Sequence, residues 1–158
     1  MIFESLKVGL ADQPRFAAAE GALRGPTDVP ADLAALAREF ARVFLVYGRA
    51  RPIALLHSVT APVAARSVLP LLPAEAARPT YDALWQVGAA LYVVYAGGTT
   101  PEPLPVGPPP SADELADRAV ATGDEHAVKL TEACLRLEAV TPDPLLRHAA
   151  ARAAELLG

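Results

Sequence analysis

Apolar residues recur every three or four positions along much of this chain, which is the spacing of one face of an α-helix. The clearest case starts at Asp28-Val29-Pro30 and ends at Gly48, because glycine commonly follows the last helical turn. The apolar positions of this predicted amphipathic helix are Leu33, Leu36, Ala37, Phe40, Phe44 and Tyr47. Ahead of Gly25-Pro26 a weaker pattern predicts one or two short helices. Their apolar residues are Phe3, Leu6, Leu10 and Phe16.

Pro62 interrupts the next apolar stretch. Proline removes a helical hydrogen bond, clashes with the preceding turn and biases the residue before it away from helix. We therefore expect two short helices here, one from Ile53 to Pro62 and one from Val63 to Leu72. The chain would turn near Thr60 and expose backbone groups beside His57.

A third apolar segment follows Pro79 and ends at Gly97-Gly98. It carries apolar or aromatic residues on most of its faces, namely Tyr81, Leu84, Trp85, Leu91, Tyr92 and Tyr95. Such a pattern predicts a helix in a central, buried position. Its most apolar part, from Ala83 to Gly97, spans about 15 residues, short of the roughly 20 that cross a bilayer. We therefore expect a core helix.

The second half of the chain begins with a proline-rich stretch, residues 99–110, which has no periodic pattern. We expect an extended connector there. Ser111-Ala-Asp-Glu114 has the capping-box pattern that opens a helix. Gly123 should end that helix, the next should run from Asp124-Glu125 to Val140, and the last from Leu145 to Leu157.

The composition of the 158-residue chain agrees with a helical fold. Hydrophobic residues make up 53%, mostly Ala and Leu, and aromatic residues only 6%, a balance that favours helix over sheet. The length supports one hydrophobic core. We predict an all-α fold, a compact multi-helix bundle, as a single domain over residues 1–158 with the connector 99–110 inside it.

Charge and cysteine content argue against several classes of protein, among them nucleic-acid-binding and disulfide-bonded proteins. The net charge of −4 comes from 18 acidic and 14 basic residues of mixed order, without the basic face that nucleic-acid binding requires. A single cysteine, Cys134, excludes an internal disulfide and a thiolate zinc cage. The first residues lack the features of an export signal. We expect a cytoplasmic protein that binds neither nucleic acid nor membrane.

The chain has no Gly-rich phosphate loop, nucleophile elbow or His-Glu-x-x-His zinc motif. Its strongest candidate for a functional motif is a His-x-x-Lys pair, His126 and Lys129, which lie one turn apart on a predicted helix. His126 falls on the apolar stripe of that helix and should face inward. The stripe contains Leu130, Ala133, Leu137 and Val140. Lys129 lies between this stripe and a charged row of Glu125, Glu132 and Arg136.

Two interpretations of this pair remain open. Glu125 and Lys129 stand in the i,i+4 order that favours an exposed salt bridge, and spacing alone prefers this interpretation. Alternatively, imidazole binds iron, copper or zinc, and a desolvated lysine can react with carbon dioxide to form a carbamate that binds metal as a carboxylate does. His57 is the natural second imidazole, or else a structural histidine. We expect His148 at the surface and Cys134 in the core.

Two stretches carry a family resemblance: Leu56-His57-Ser-Val-Thr60-Ala-Pro62 with the later Leu69-Pro70, and Gly123-Asp-Glu-His126-Ala-Val-Lys129-Leu-Thr-Glu-Ala133. Both resemble the questin oxidase-like proteins, and the similarity covers most of the chain. The resemblance implies an all-helical oxygenase that cleaves anthraquinone-type aromatic polyketides, by a Baeyer-Villiger-type or other oxidative ring opening, and that uses NADPH or non-haem iron. Under it, His57 and His126 would be imidazole ligands of Fe(II), and Lys129 the carbamate ligand.

The resemblance also predicts an incomplete site. Questin oxidase-like proteins run to several hundred residues and take further histidines from their N-terminal part, whereas this chain has three histidines. It would then be a fragment, half of a site that a second copy or another chain completes, or a non-catalytic remnant serving as a helical interaction or oligomerisation module. A further class is a small-molecule-binding domain with Trp85, Tyr92 and Tyr95 as pocket walls, for which core packing is the simpler explanation.

Overall fold

The computed structural model describes residues 25–158, and the short helices predicted before Gly25 lie outside this range. Six α-helices and no strand occur in the described residues, which confirms the all-α prediction. The helices are α1 Val29–Tyr47, α2 Pro52–Val68, α3 Ala77–Tyr95, α4 Ala112–Ala121, α5 Glu125–Glu138 and α6 Pro144–Leu157. Two single 3-10 turns, Leu69–Leu71 and Ala74–Ala76, connect α2 to α3.

The six helices pack as two hairpins that share one core. Helices α1 and α2 form the first hairpin and α5 and α6 the second, and α2 packs on α5 while α1 packs on α6. Helix α3 covers the first hairpin, and α4 covers the second. Every helix contributes side chains to the buried apolar cluster, among them Phe44, Leu56, Leu91, Leu115, Leu137 and Leu146.

Helix α1 has the predicted bounds. The Asp28 carboxylate accepts a hydrogen bond from the backbone N–H of Ala31, at 3.2 Å, so it caps the first turn. Leu33, Ala37, Phe40 and Phe44 are buried along one face, together with Ala34, Ala41 and Leu45. The N–H of Gly48 donates to the Phe44 carbonyl, at 2.7 Å, and ends the helix.

Helix α2 does not break at Pro62, so the prediction of two short helices was wrong. It runs without interruption from Pro52 to Val68 with Pro62 inside it. An interior proline costs about 3 kcal/mol. Burial of each large apolar side chain contributes roughly 1.5–3 kcal/mol, and Leu55, Leu56, Val59 and Val63 are all buried on this helix. Packing therefore outweighs the local preference, and His57 lies within regular helix rather than beside a turn.

Residues 52–71 also have the length and composition of a membrane span. An 18-residue window of this 20-residue segment has a mean hydropathy of 1.2, and 33% of that window is buried within the fold. The core helix of a soluble protein has the same length and composition, so these two measures do not separate the two cases.

Helix α3 is not central, which corrects a second prediction. Among the described helices it packs mainly on α1 and α2, and its buried residues are Gly88, Ala90 and Leu91. Tyr92 is 40% exposed and meets Tyr47 edge-on, with 5.7 Å between the ring centres. A hydrogen bond with Tyr47, and then burial, raise the pKa of Tyr92. Tyr92 therefore packs against α1 of the first hairpin.

The helix after the connector forms as predicted. Residues 99–110 contain no helix or strand, and Glu102 holds them to the bundle: its N–H donates to the Val46 carbonyl, at 2.9 Å, and its carboxylate pairs with Arg49 and Arg152. Ser111 and Glu114 form both hydrogen bonds of the capping box. The chain then turns at Gly123, whose φ of +70° suits a glycine.

Candidate functional site

The two histidines that the sequence analysis selected meet in the folded chain. His57 lies on α2 and His126 near the start of α5, and the packing of these helices brings the imidazole rings together. The ring centres are 5.7 Å apart, and the planes cross at 70°. Residues from opposite halves of the sequence thus form one site.

His57 is exposed and tied to its own helix. Its Nδ1 lies 2.5 Å from the carbonyl oxygen of Ile53, one turn earlier. A carbonyl only accepts hydrogen bonds, so Nδ1 carries the hydrogen in neutral His57. The lone pair of Nε2 is then directed away from the helix backbone and is available to a ligand.

His126 is held by the residue that caps its helix. Asp124 Oδ1 accepts the backbone N–H of His126, at 2.7 Å, and lies 3.0 Å from its ring Nδ1. The first hydrogen bond, and then the second, lower the pKa of the Asp124 carboxyl. The carboxylate therefore places the hydrogen of neutral His126 on Nδ1, and Nε2 is again left as an acceptor.

The inward orientation predicted for His126 is largely confirmed. Its side chain is 22% exposed, and Leu130, Ala133 and Leu137 of the same stripe are buried. Val140 is the exception, because α5 ends before it and it is 57% exposed.

Lys129 forms the salt bridge that its spacing predicted. Its Nζ lies 3.1 Å from Glu125 Oε2, and its side chain is 55% exposed. A carbamate forms on an uncharged, desolvated amine, whereas this lysine is solvated and paired with a carboxylate. The described residues thus fit an imidazole pair, and they do not provide the surroundings that a carbamate at Lys129 requires.

Glu125 is a site residue that the sequence analysis treated only as a salt-bridge partner. Its Oε1 lies 3.9 Å from Nε2 of His126, while Oε2 contacts Lys129. The carboxylate therefore lies beside Nε2 of His126. Its position next to His126 in the Asp124-Glu125-His126 sequence was the available signal, because Glu125 and His126 are adjacent residues in the first turn of α5.

A groove of about 580 Å³ lies between α2 and α5 and begins at this site. His57 and Lys129 stand at one end and Ser67 and Arg136 at the other. Its remaining lining is mostly small or apolar, formed by Thr60, Ala61, Val63, Ala64, Val68, Glu132 and Ala133. A volume of this size is typical of small-molecule sites.

His148 and Cys134 take no part in the site, as predicted. His148 lies on α6, where its Nε2 is 3.2 Å from the carbonyl of Gly107 and its side chain lines a separate cavity of about 400 Å³ against the connector. Cys134 is fully buried, and this burial raises the pKa of its thiol to about 12.

Within residues 25–158, His, Cys, Asp and Glu side chains form no cluster of three or more that is arranged to hold a metal ion. Comparison of the chain with protein-family models, with curated proteins and with solved structures gives no match. The resemblance to questin oxidase-like proteins therefore stays a prediction.

Proposed function

We propose that this chain is an oxidoreductase domain of the questin oxidase-like type, a non-haem iron oxygenase in which His57 and His126 supply imidazole ligands. The observation that carries the proposal is the state of the two rings. Each Nδ1 is engaged by an oxygen acceptor, so each Nε2 keeps the lone pair of the neutral ring. The two ring centres are 5.7 Å apart, and His57 lines the groove.

Metal-binding histidines in proteins usually have this arrangement. The nitrogen that does not bind metal donates to a carboxylate or a backbone carbonyl, which fixes the tautomer and the direction of the ring. Asp124 provides the carboxylate for His126, and Ile53 provides the carbonyl for His57. A histidine pair with only a structural role would not require both rings to leave the same nitrogen, Nε2, as the acceptor.

Iron bound at this position would supply the activation of dioxygen. The residues of the chain have other tasks: Asp124 orients His126, the Glu125 carboxylate offers an oxygen ligand once Lys129 releases it, and the apolar groove holds the substrate and excludes water. We propose an anthraquinone-type polyketide as substrate, NADPH as a candidate electron donor, and ligands from outside residues 25–158 to complete the metal sphere.

Anaerobic titration with Fe(II), followed by calorimetry, tests the proposal. We expect about one ion per chain, and His57→Ala and His126→Ala should each weaken binding at least tenfold because each removes one of the two imidazoles. His148→Ala is the matched control and should bind as the unchanged chain does. Far-UV circular dichroism of every variant checks that the helices persist. Absence of Fe(II) binding, or equal binding by all three variants, would overturn the proposal.

A further inference from the structure

We infer that the groove between α2 and α5 binds an elongated apolar molecule with one anionic end, held by Arg136 and Ser67 at the end remote from the imidazole pair. The inference rests on the proposed function only for the reaction at His57 and His126. Binding of the ligand itself depends on the groove alone.

The groove follows one face of each helix. On α2 its residues recur every three or four positions and include His57, Thr60, Ala64 and Ser67, and on α5 they recur from Lys129 to Arg136. Ten residues of helix separate the two ends on α2, about 15 Å at 1.5 Å per residue. The slot is thus long enough for an extended body of about ten carbon atoms or several fused rings.

The middle of the groove has little that a polar molecule would bind. Ala61, Ala64 and Ala133 line it with small side chains, and Val63 and Val68 add apolar area. Small side chains on both helices leave the space open, since larger ones would fill it. An apolar body fits this lining because its transfer from water gains roughly 25 cal/mol for each Å² buried.

The far end of the groove supplies cationic donors. Arg136 Nη1 donates to Ser67 Oγ, at 3.1 Å, so the guanidinium reaches across from α5 to α2. Its Nε donates to Glu132 Oε1, at 2.6 Å, and both side chains of this ion pair are more than half exposed. Arginine binds carboxylates and similar anions through two parallel hydrogen bonds. An exposed pair contributes only about 0–1 kcal/mol, so a ligand anion can displace Glu132.

Arg136 is better placed for this role than Lys129. Lys129 stands beside the imidazoles, where the reacting part of a substrate would lie, and its ammonium is paired with Glu125. Arg136 closes the opposite end with a hydroxyl from the facing helix beside it. An anion bound there directs the rest of the molecule along the groove toward His57.

Fluorescence and calorimetric titrations with three probes test the inference: 2-naphthoate, its neutral analogue 2-naphthalenemethanol, and decanoate. We expect 2-naphthoate or decanoate to bind, the first if the body is aromatic and the second if it is aliphatic. Arg136→Gln should weaken binding of the anion about tenfold and leave the neutral analogue unaffected. Glu132→Gln should strengthen binding of the anion, because it removes the competing carboxylate.

Two further variants complete the design. Ala64→Trp should abolish binding of every probe by filling the groove. Arg147→Gln, which removes an arginine from a partly buried ion pair with Glu138 outside the groove lining, should leave binding of every probe unchanged. No binding of either anion, or equal effects of Arg136→Gln and Arg147→Gln, would overturn the inference. Fe(II) binding by Arg136→Gln should be intact, so failure of the groove and failure of the metal site give different results.

Discussion

At the scale of single residues, the partner of each ring nitrogen decides what the two histidines can do. The Asp124 carboxylate and the Ile53 carbonyl each accept a hydrogen bond from a ring Nδ1, so both Nε2 atoms are acceptors in the neutral rings. Part of this was predictable, because the apolar stripe of α5 placed His126 inward and the i,i+4 spacing paired Lys129 with Glu125. The contact between His126 and His57 was not predictable, because it depends on how α2 packs against α5.

Cys134 gives a prediction at this scale. Desolvation, and then the nearby Glu138, raise the pKa of the thiol to about 12, so at pH 8 the folded chain holds almost no thiolate. We expect no reaction with a disulfide reagent at pH 8 in the folded state and one reacting thiol in 6 M guanidinium. Cys134→Ser should lower the free energy of unfolding by about 1–3 kcal/mol, because it buries a hydroxyl in place of a thiol. Rapid labelling of the folded chain would contradict the assigned burial.

At the scale of elements, local signals predicted most helix ends and failed where tertiary contacts decide. Capping residues such as Asp28 and Ser111 act within one turn, so the sequence alone located α1 and α4. Pro62 was misjudged because the burial of its neighbours on α2 outweighs its local cost. The apolar pattern of α3 indicated burial on all sides, yet the pattern does not specify how many neighbours a helix has.

The start of α5 gives a prediction about pH. The hydrogen bonds from His126 lower the pKa of Asp124 in the folded chain below its unfolded value of about 3.9. Its stabilising contribution is therefore complete above that value and is lost as the pH falls through the lower folded pKa. Asp124→Ala should lower the melting temperature at pH 7, and the difference from the unchanged chain should disappear in strong acid. Asp117→Ala, an exposed site on α4, is the control for the loss of a surface carboxylate.

At the scale of the whole molecule, the two hairpins are joined by their shared core and also by the connector, which forms an ion pair with each of them. Glu102 pairs with Arg49, in the loop between α1 and α2, and with Arg152 on α6 of the second hairpin. The sequence predicted the extended conformation from its prolines. The sequence did not predict this pair of salt bridges, hereafter the clasp. One arginine precedes Glu102 by 53 residues and the other follows it by 50.

Glu102→Gln tests the clasp. The amide side chain loses both ion pairs, so we expect unfolding to become easier by about 1 kcal/mol. The backbone N–H of Glu102, bonded to Val46, should exchange with deuterium faster, as hydrogen-exchange mass spectrometry of residues 99–107 would show. Glu155→Gln removes a different partner of Arg152 without touching the connector and is the control. Equal exchange in both variants would mean that the ion pairs do not hold the connector.

The contact between His57 and His126 links ligand binding to the assembly of the fold. A ligand that needs both imidazoles binds only when the two hairpins are docked, so its binding free energy adds to the free energy of folding. At one hundred times its dissociation constant, such a ligand stabilises the folded chain by about 2.7 kcal/mol. The linkage is reciprocal: a substitution in the buried seam between α2 and α5, far from either ring, would weaken affinity by reducing the docked population. The hydrophobic interior is in this sense part of the binding site.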